Sequence, residues 1–388
     1  MDNNIIRIGD KCTGCGICKS ICPKECIEMK RNKEGFIYPI VDKNKCISCG
    51  KCLEYCNAIG EEKRNYKFSV FAGWTIDKEI YNQSSSGGIA SSISKYIIAN
   101  GGIVYGTMLT EDFKTKFIRI DKIDDIKKIQ GSKYTQGNIF SVIDLIKKDS
   151  SEKRLLLIIG TPCQIAAVKK SIKDIPDNIY FIDLICHGVT NDYLFNLYRE
   201  ELERKYGGTL YSYKYRDKSL GGIDRKETFE IVKLNGIKKK YFRKVIDSPF
   251  YYGYLNNIIL RKSCYRCKYK NINREGDISL GDYWGAYLEF KNIKSDSGIS
   301  KVIINSPKGA KLLGKIPDLV LIKSEKQYMS EVNDYSVGIE KRKLFFQKLS
   351  DYSFSTKNKI LKPKHYILRK VYSTFPTNIR KYLHIWRK

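Results

Sequence analysis

The chain has no apolar run of membrane length. Its longest near the middle is Leu155 to Ile159, against the roughly 20 residues needed to span a bilayer. No charged-then-apolar signal pattern precedes the first cysteine, Cys12, so the expectation is a cytoplasmic protein. There is no repeat at solenoid or propeller period and no low-complexity tract. Neither G-x-G-x-x-G nor a Walker A loop is present, which removes the Rossmann and P-loop readings. Histidine is scarce, at three residues, and from Tyr352 to Lys388 there is neither Asp nor Glu.

What is present is positive charge and cysteine. The 388 residues carry 71 Lys+Arg against 42 Asp+Glu, a net charge of +29. Such a balance suits acidic partners, anionic lipid or acidic small molecules. No recognised nucleic-acid motif accompanies it, so nucleic acid is not expected as a partner. Thirteen cysteines, an odd count without a secretion signal, point to metal ligation rather than a disulfide framework.

Nine of the thirteen lie in residues 1–60. Cys12-x2-Cys15-x2-Cys18-x3-Cys22-Pro23 is the bacterial ferredoxin run, and Cys46-x2-Cys49-x2-Cys52-x3-Cys56 repeats it. A cubane needs four thiolates, and the tight spacing lets one loop reach three irons while Gly14, Gly16 and Gly50 relieve the crowded backbone. The fourth cysteine of each run serves the other cluster. The expected sets are therefore Cys12, Cys15, Cys18 with Cys56, and Cys46, Cys49, Cys52 with Cys22. Zinc prefers two separated Cys-x2-Cys pairs, so two [4Fe–4S] clusters are the reading. Asn57 follows Cys56 where proline is usual, an expected effect on loop stiffness rather than ligation. Cys26 has no ferredoxin role and is expected as a small buried residue.

Beyond this module, residues 61–68 read as a linker. Strand and helix then alternate: strands at 70–74, 103–109 and 116–120, a helix at 87–99 opened by the Ser84-Ser-Ser cap signal, helical segments at 124–129 and 140–148, a buried strand at 155–159, a helix at 163–171, a strand at 179–185 and a helix at 192–206. Residues 210–250 look antiparallel, with further strands at 277–282 and 300–305. After about residue 310 the chain reads as helical and basic. The fold class is α+β: a two-cluster ferredoxin-like module (1–60), a mixed α/β core in two segments (61–150 and 151–310) and a helical basic tail (311–388). From Tyr352 to Lys388, ten Lys or Arg residues interleave with residues such as Ile360, Tyr366, Leu368, Leu383 and Trp386. That pattern suits either a helix packed on the core or an amphipathic segment on an anionic membrane surface, which would place the protein at the inner face of the membrane.

Four cysteines remain, in Gly160-Thr-Pro-Cys163, Cys186-His187 and Cys264-Tyr-Arg-Cys267. They suffice for a third cubane. Spacing alone equally allows two buried cysteines and an unrelated Cys-x2-Cys pair. Ser84-Ser-Ser-Gly-Gly88 and Gly131-Ser-Lys-Tyr134 offer hydroxyls, N–H groups and a lysine of the kind that cradle phosphates, and each alone also reads as an ordinary cap or turn. Lys133, Arg216, Lys218 and Arg266 suit an anion or plain surface solvation. His187 reads as a proton donor or a hydrogen-bonded loop histidine.

Taken in order, these loops with Asp183-Leu-Ile-Cys-His-Gly188, Tyr215-Arg-Asp-Lys218, Asp277-Ile-Ser-Leu-Gly-Asp-Tyr-Trp-Gly285 and Gly298-Ile-Ser300 resemble the beta-subunit family of coenzyme F420 hydrogenases and dehydrogenases over about residues 1–310. The resemblance implies FAD held by Ser84, Ser85, Ser86, Gly87, Gly88, Ser132, Lys133, Tyr134, Gly160, Thr161 and Pro162, which makes the core flavin-binding. It also strengthens the third-cluster reading for Cys163, Cys186, Cys264 and Cys267, the alternative being that Cys163 or Cys186 lines the flavin, and puts His187 beside flavin or substrate as the catalytic candidate. Flavin joins two-electron organic chemistry to one-electron clusters, so an iron–sulfur flavin-dependent oxidoreductase acting on a deazaflavin or other small-molecule substrate is implied. Its redox partner would be a ferredoxin or an oxidoreductase subunit. The alternatives are a non-catalytic electron-transfer subunit and a ferredoxin-dependent biosynthetic reductase, for example in surface polysaccharide pathways.

Overall fold

The structure, a computed structural model, describes residues 3–60, 69–218, 226–290, 298–325, 336–349, 354 and 359–361. The expected linker 61–68 and nearly all of the basic segment 352–388 lie outside them. No helix among the described residues is long and apolar enough to cross a membrane.

The N-terminal module is built on the expected hairpin. β1 (Ile27–Arg31) pairs antiparallel with β2 (Ile37–Val41), Ile27 opposite Val41. The two cysteine runs flank it, and each enters a one-turn helix, Ile17–Ser20 and Lys51–Glu54, through a left-handed glycine, Gly16 or Gly50. Cys18, Cys26, Cys52 and Cys56 are buried with Ile5, Ile8, Ile27 and Val41.

The core holds the remaining strands: β3 (Ser69–Thr75), β4 (Ile103–Leu109), β5 (Thr115–Ile120), β6 (Leu156–Gly160), β7 (Ile179–Leu184), β8 (Thr209–Lys214), β9 (Lys226–Val232), β10 (Lys238–Lys244), β11 (Ile278–Asp282), β12 (Ser300–Ile304) and β13 (Leu319–Lys323). Eight of them form one sheet in the order β13-β3-β12-β11-β7-β6-β4-β5. Its centre, β4-β6-β7-β11, is parallel, and the flanks pair antiparallel. The run at Leu156–Ile158 is fully buried because helices cover both faces of a parallel centre. Helices Ile89–Ala99 and Pro162–Ser171 contribute Ile93, Ile97, Ile165 and Val168 to that cover. One sheet thus draws strands from 69 to 323, so the segments 61–150 and 151–310 interleave in space.

β8, β9 and β10 make a separate antiparallel sheet. It packs with helices Asp192–Tyr206 and Pro249–Leu255 around Phe195, Tyr198, Phe229 and Phe250. At its centre the fully buried Glu227 accepts hydrogen bonds from the hydroxyls of Tyr198, Tyr213 and Ser248.

Two expectations need correcting. The stretch after residue 310 is helical at Pro307–Leu313 and Ser336–Gln347, but Leu319–Lys323 is an edge strand pairing with β3. And Ser84-Ser-Ser does not cap the helix at 89–99. That helix starts after Gly88, whose backbone is left-handed, while Ser84 closes a short preceding helix, Lys78–Gln83, its hydroxyl donating to Ile80 O.

Candidate functional site

Ligands of open α/β sheets gather outside the carboxyl ends of parallel strands. Here that edge is furnished by Gly160-Thr161 after β6, Leu184 to Val189 after β7, and Asp282 to Trp284 at the end of β11. A cleft of about 410 Å³ opens there. Its walls include Ser84, Ser85, Ser86, Gly88, Ser132, Lys133, Tyr134, Thr161, Cys186 and His187. Gly87, Gly160 and Pro162 are not on that wall. Gly87 is pressed against β3, where an added Cβ would sit 2.2 Å from Gly73 O, and Pro162 faces the opposite side with Cys163.

The two loops singled out in the sequence meet, because Ser132 N–H donates to Ser85 Oγ at 2.8 Å. Ser86 Oγ is buried and has no hydrogen-bond partner among the described residues, an arrangement that favours a polar group arriving in the cleft. Lys133 donates to the carbonyls of Ile129 and Gln130 at 2.9 and 2.7 Å, and burial pushes its ammonium down to about 7. Lys218 donates to Tyr81 O and Ser86 O, and burial lowers it to about 8. Arg216 is committed to Asp282 at 2.6 Å. His187 Nε2 lies 3.2 Å from Tyr254 O, its ring edge-on to that tyrosine, and its own carbonyl accepts from Lys270. Arg266 is exposed on the other side of the loop.

The cysteines fall into three groups. Cys12, Cys15, Cys18 and Cys56 are mutual electrostatic neighbours. Cys22, Cys46, Cys49 and Cys52 line one small void with Cys26, whose Sγ is 3.4 Å from that of Cys22. Cys163, Cys186, Cys264 and Cys267, distant in sequence, line a second cavity of about 1280 Å³ between the N-terminal module and the core. Burial, then the neighbouring thiols, push Cys186 up to about 12 and Cys264 up to about 11, and burial pushes Cys15 up to about 12. Thiols so disfavoured as anions need a cationic centre to bind as thiolates. Among the described residues no three His, Cys, Asp or Glu side chains converge on a single ion. Each group supplies the four thiolates that a [4Fe–4S] cubane requires.

Thr161, Cys186, Gly188, Val189 and Lys270 line both the cleft and the cavity. Of the third cysteine group, Cys186 borders both the cleft and the module-facing cavity, and Cys163, Cys264 and Cys267 border the cavity. The module is held to the core by a buried seam that single-residue patterns did not reveal. Arg261, 1% exposed, donates to Cys12 O, Ile37 O and Gln136 Oε1. Gln136 in turn donates to Thr13 O, and Arg342 forks onto Glu34. Gly14 must lack a side chain partly because a Cβ there would lie 2.3 Å from Arg261 Nη2.

Family models for the beta subunit of coenzyme F420 hydrogenase/dehydrogenase match residues 70–144 (N-terminal part) and 153–327 (C terminus), and one for a 4Fe-4S dicluster domain matches residues 11–60. A subunit of the F(420)H(2) dehydrogenase of Methanosarcina mazei is 23% identical over 193 residues, 46% of this chain and 53% of that protein. The beta subunit of the coenzyme F420 hydrogenase of Methanococcus voltae is 31% identical over 114 residues, 28% of this chain and 39% of that protein. A chain of the F420-reducing [NiFe] hydrogenase complex of Methanosarcina barkeri superposes with a TM-score of 0.42 at 17% identity, covering 75% of this chain and 94% of that one. The chain spans about half the length, or less, of these curated relatives. With both halves of the core and the cluster domain matched in order, the chain belongs to the coenzyme F420 hydrogenase/dehydrogenase beta-subunit family, with a 4Fe-4S dicluster domain ahead of the family core.

Proposed function

We propose that the protein is an iron–sulfur flavoprotein oxidoreductase in which electrons pass between the cysteine groups of the N-terminal module and FAD in the cleft, by way of a third [4Fe–4S] cluster on Cys163, Cys186, Cys264 and Cys267. The observation that carries the reading is the shared wall: Cys186 and Thr161 border the cleft on one side and the module-facing cavity on the other. Clusters would carry single electrons, and flavin would exchange two of them, with a proton, for one hydride.

The chain's own residues then have assignable roles. Ser85, Ser86, Ser132 and Lys133 hold the phosphates, the unpartnered Ser86 hydroxyl and the three-donor ammonium of Lys133 supplying charge-assisted bonds. His187, its ring fixed against Tyr254, is the proposed proton donor. Two-electron chemistry takes place on a deazaflavin or another small organic molecule in the cleft.

Two results test this. Cys264→Ser is expected to remove about four of about twelve irons while the module keeps its own. Unchanged iron would remove the third cluster from the account. Lys133 gives a pH signature. Its ammonium is pulled down to about 7 in the cleft, and an arriving anion raises it again. Affinity for FAD is therefore full below about pH 7 and falls by up to about tenfold per pH unit above it, until the pKa of the complex is reached. Lys133→Met should weaken binding by about ten- to a hundredfold at pH 6.5 and flatten the profile. A titration of flavin-depleted protein across pH 6–9 checks both.

A second reading has support in the names of the relatives, which are subunits: a relay passing electrons to a partner protein. Stopped-flow bleaching of the flavin by reduced deazaflavin, compared with reduced ferredoxin, separates the two.

A further inference from the structure

The two cysteine runs are near repeats, but they end differently: Pro23 follows Cys22, and Asn57 follows Cys56. The difference falls where the module meets the core. Pro23 lines the small void of the Cys22, Cys46, Cys49 and Cys52 group on the module's own side. Asn57 is 1% exposed and lies in the seam between the Cys12, Cys15, Cys18, Cys56 group and the Cys163 group. Its Nδ2 donates to Cys163 O at 2.5 Å. Its Oδ1 accepts from Thr13 Oγ1 at 3.2 Å and lies 3.7 Å from Cys15 Sγ. Its backbone carbonyl accepts from Tyr269 Oη at 2.7 Å, in the loop just past Cys267. The side-chain amide therefore touches a cysteine of one group and the backbone of a cysteine of the next, and the backbone carbonyl of the same residue holds the loop just past Cys267. Proline could supply none of the side-chain bonds.

We infer that Asn57 is a positioning residue for electron exchange between the module and the core: it sets the separation and coupling of the Cys12-side and Cys163-side groups. It rests on the third-cluster reading above. The step it serves moves one electron, so the cluster on one side is oxidised as the other is reduced and no bond is made or broken. Such partners behind the ligands tune potential and coupling without ligating.

The test uses the full-length, anaerobically prepared protein and Asn57→Ala, Asn57→Pro and Thr13→Val, which removes the hydroxyl holding Oδ1. Asp144→Ala serves as a seam control, since Asp144 binds Ser20 across the same junction away from Asn57. Iron and sulfide are measured first. The EPR spectrum of the dithionite-reduced protein then reads magnetic coupling between clusters, and freeze-quench reads how fast electrons cross. Expected are wild-type iron in every variant, altered coupling and a crossing slowed by about ten- to a hundredfold in the Asn57 variants, a smaller change in Thr13→Val, and none in Asp144→Ala. Unchanged coupling and rate in Asn57→Ala with full iron would overturn the inference, and so would an Asp144→Ala variant behaving like Asn57→Ala. If the Asn57 variants fail to fold, an unaltered Thr13→Val overturns it alone. A wild-type protein with only about eight irons would instead strike the underlying third-cluster reading, an outcome the iron analysis identifies before any variant is compared.

Discussion

Arg261→Met is expected to destabilise the protein by about 3–5 kcal/mol and to loosen the N-terminal module from the core. Among the described residues Arg261 has no carboxylate partner. Its guanidinium is spent on the carbonyls of Cys12 and Ile37 and the amide oxygen of Gln136, at 3.0, 2.5 and 3.0 Å, and it stacks near the rings of Phe36 and Tyr38. Methionine fills much of the volume but leaves those partly buried acceptors without their donor, at about 1–3 kcal/mol each where water cannot replace it. Lysine would recover only part, since a point ammonium cannot fork onto three acceptors. Gly14→Ala should resemble Arg261→Met, because its new Cβ would displace the guanidinium. Anaerobic denaturant unfolding, followed by cluster absorbance and by far-UV circular dichroism, checks this. A loss below about 1 kcal/mol would show that the seam does not depend on Arg261.

Asp183→Ala is expected to cost about 3–5 kcal/mol as well, for a different reason. Asp183, fully buried at β7, pairs with Arg274 at 2.8 Å and accepts from the N–H groups of Glu275 and Gly276 at 2.7 and 2.9 Å. Arg274 also holds Leu184 O and Ser279 Oγ. The pair ties the loop before β11 to the end of β7, a few residues before Cys186. Removing the carboxylate takes the buried Arg274 guanidinium's ion-pair partner at 2.8 Å away, and that is the larger part of the cost. Asp183→Asn with Arg274→Met should therefore be less destabilising than Asp183→Ala alone, because neither charge is left behind. A double variant at least as unstable as Asp183→Ala would refute this.

Local pattern carried much of the architecture. The doubled cysteine runs, the hairpin between them, the apolar run at 155–159 and the helix at 192–206 all have signals confined to a few residues. The failures are equally specific. Three serines ahead of two glycines look like a helix cap, but the left-handed Gly88 starts the helix and leaves Ser85 and Ser86 to face the cleft. β13 is five residues long and gains its partner from β3, more than 240 positions earlier, so no local window reveals it in a basic, largely helical stretch. The candidate site behaves the same way. Cys163, Cys186, Cys264 and Cys267 are visible one by one, but their common cavity is a product of sheet order. Asn57 is conspicuous in the sequence as a departure from proline and suggests an effect on loop stiffness; its neighbours across the seam supply a more specific setting. Arg261 and Arg274 had no signal, since one arginine in a basic chain looks like any other.

In the proposed function, three cysteine groups and a cleft that holds flavin form one connected redox path. Oxygen-free purification followed by iron, acid-labile sulfide and flavin determination tests it most directly. About twelve irons with matching sulfide and one FAD per chain is the predicted composition. About eight irons and no flavin would contradict it.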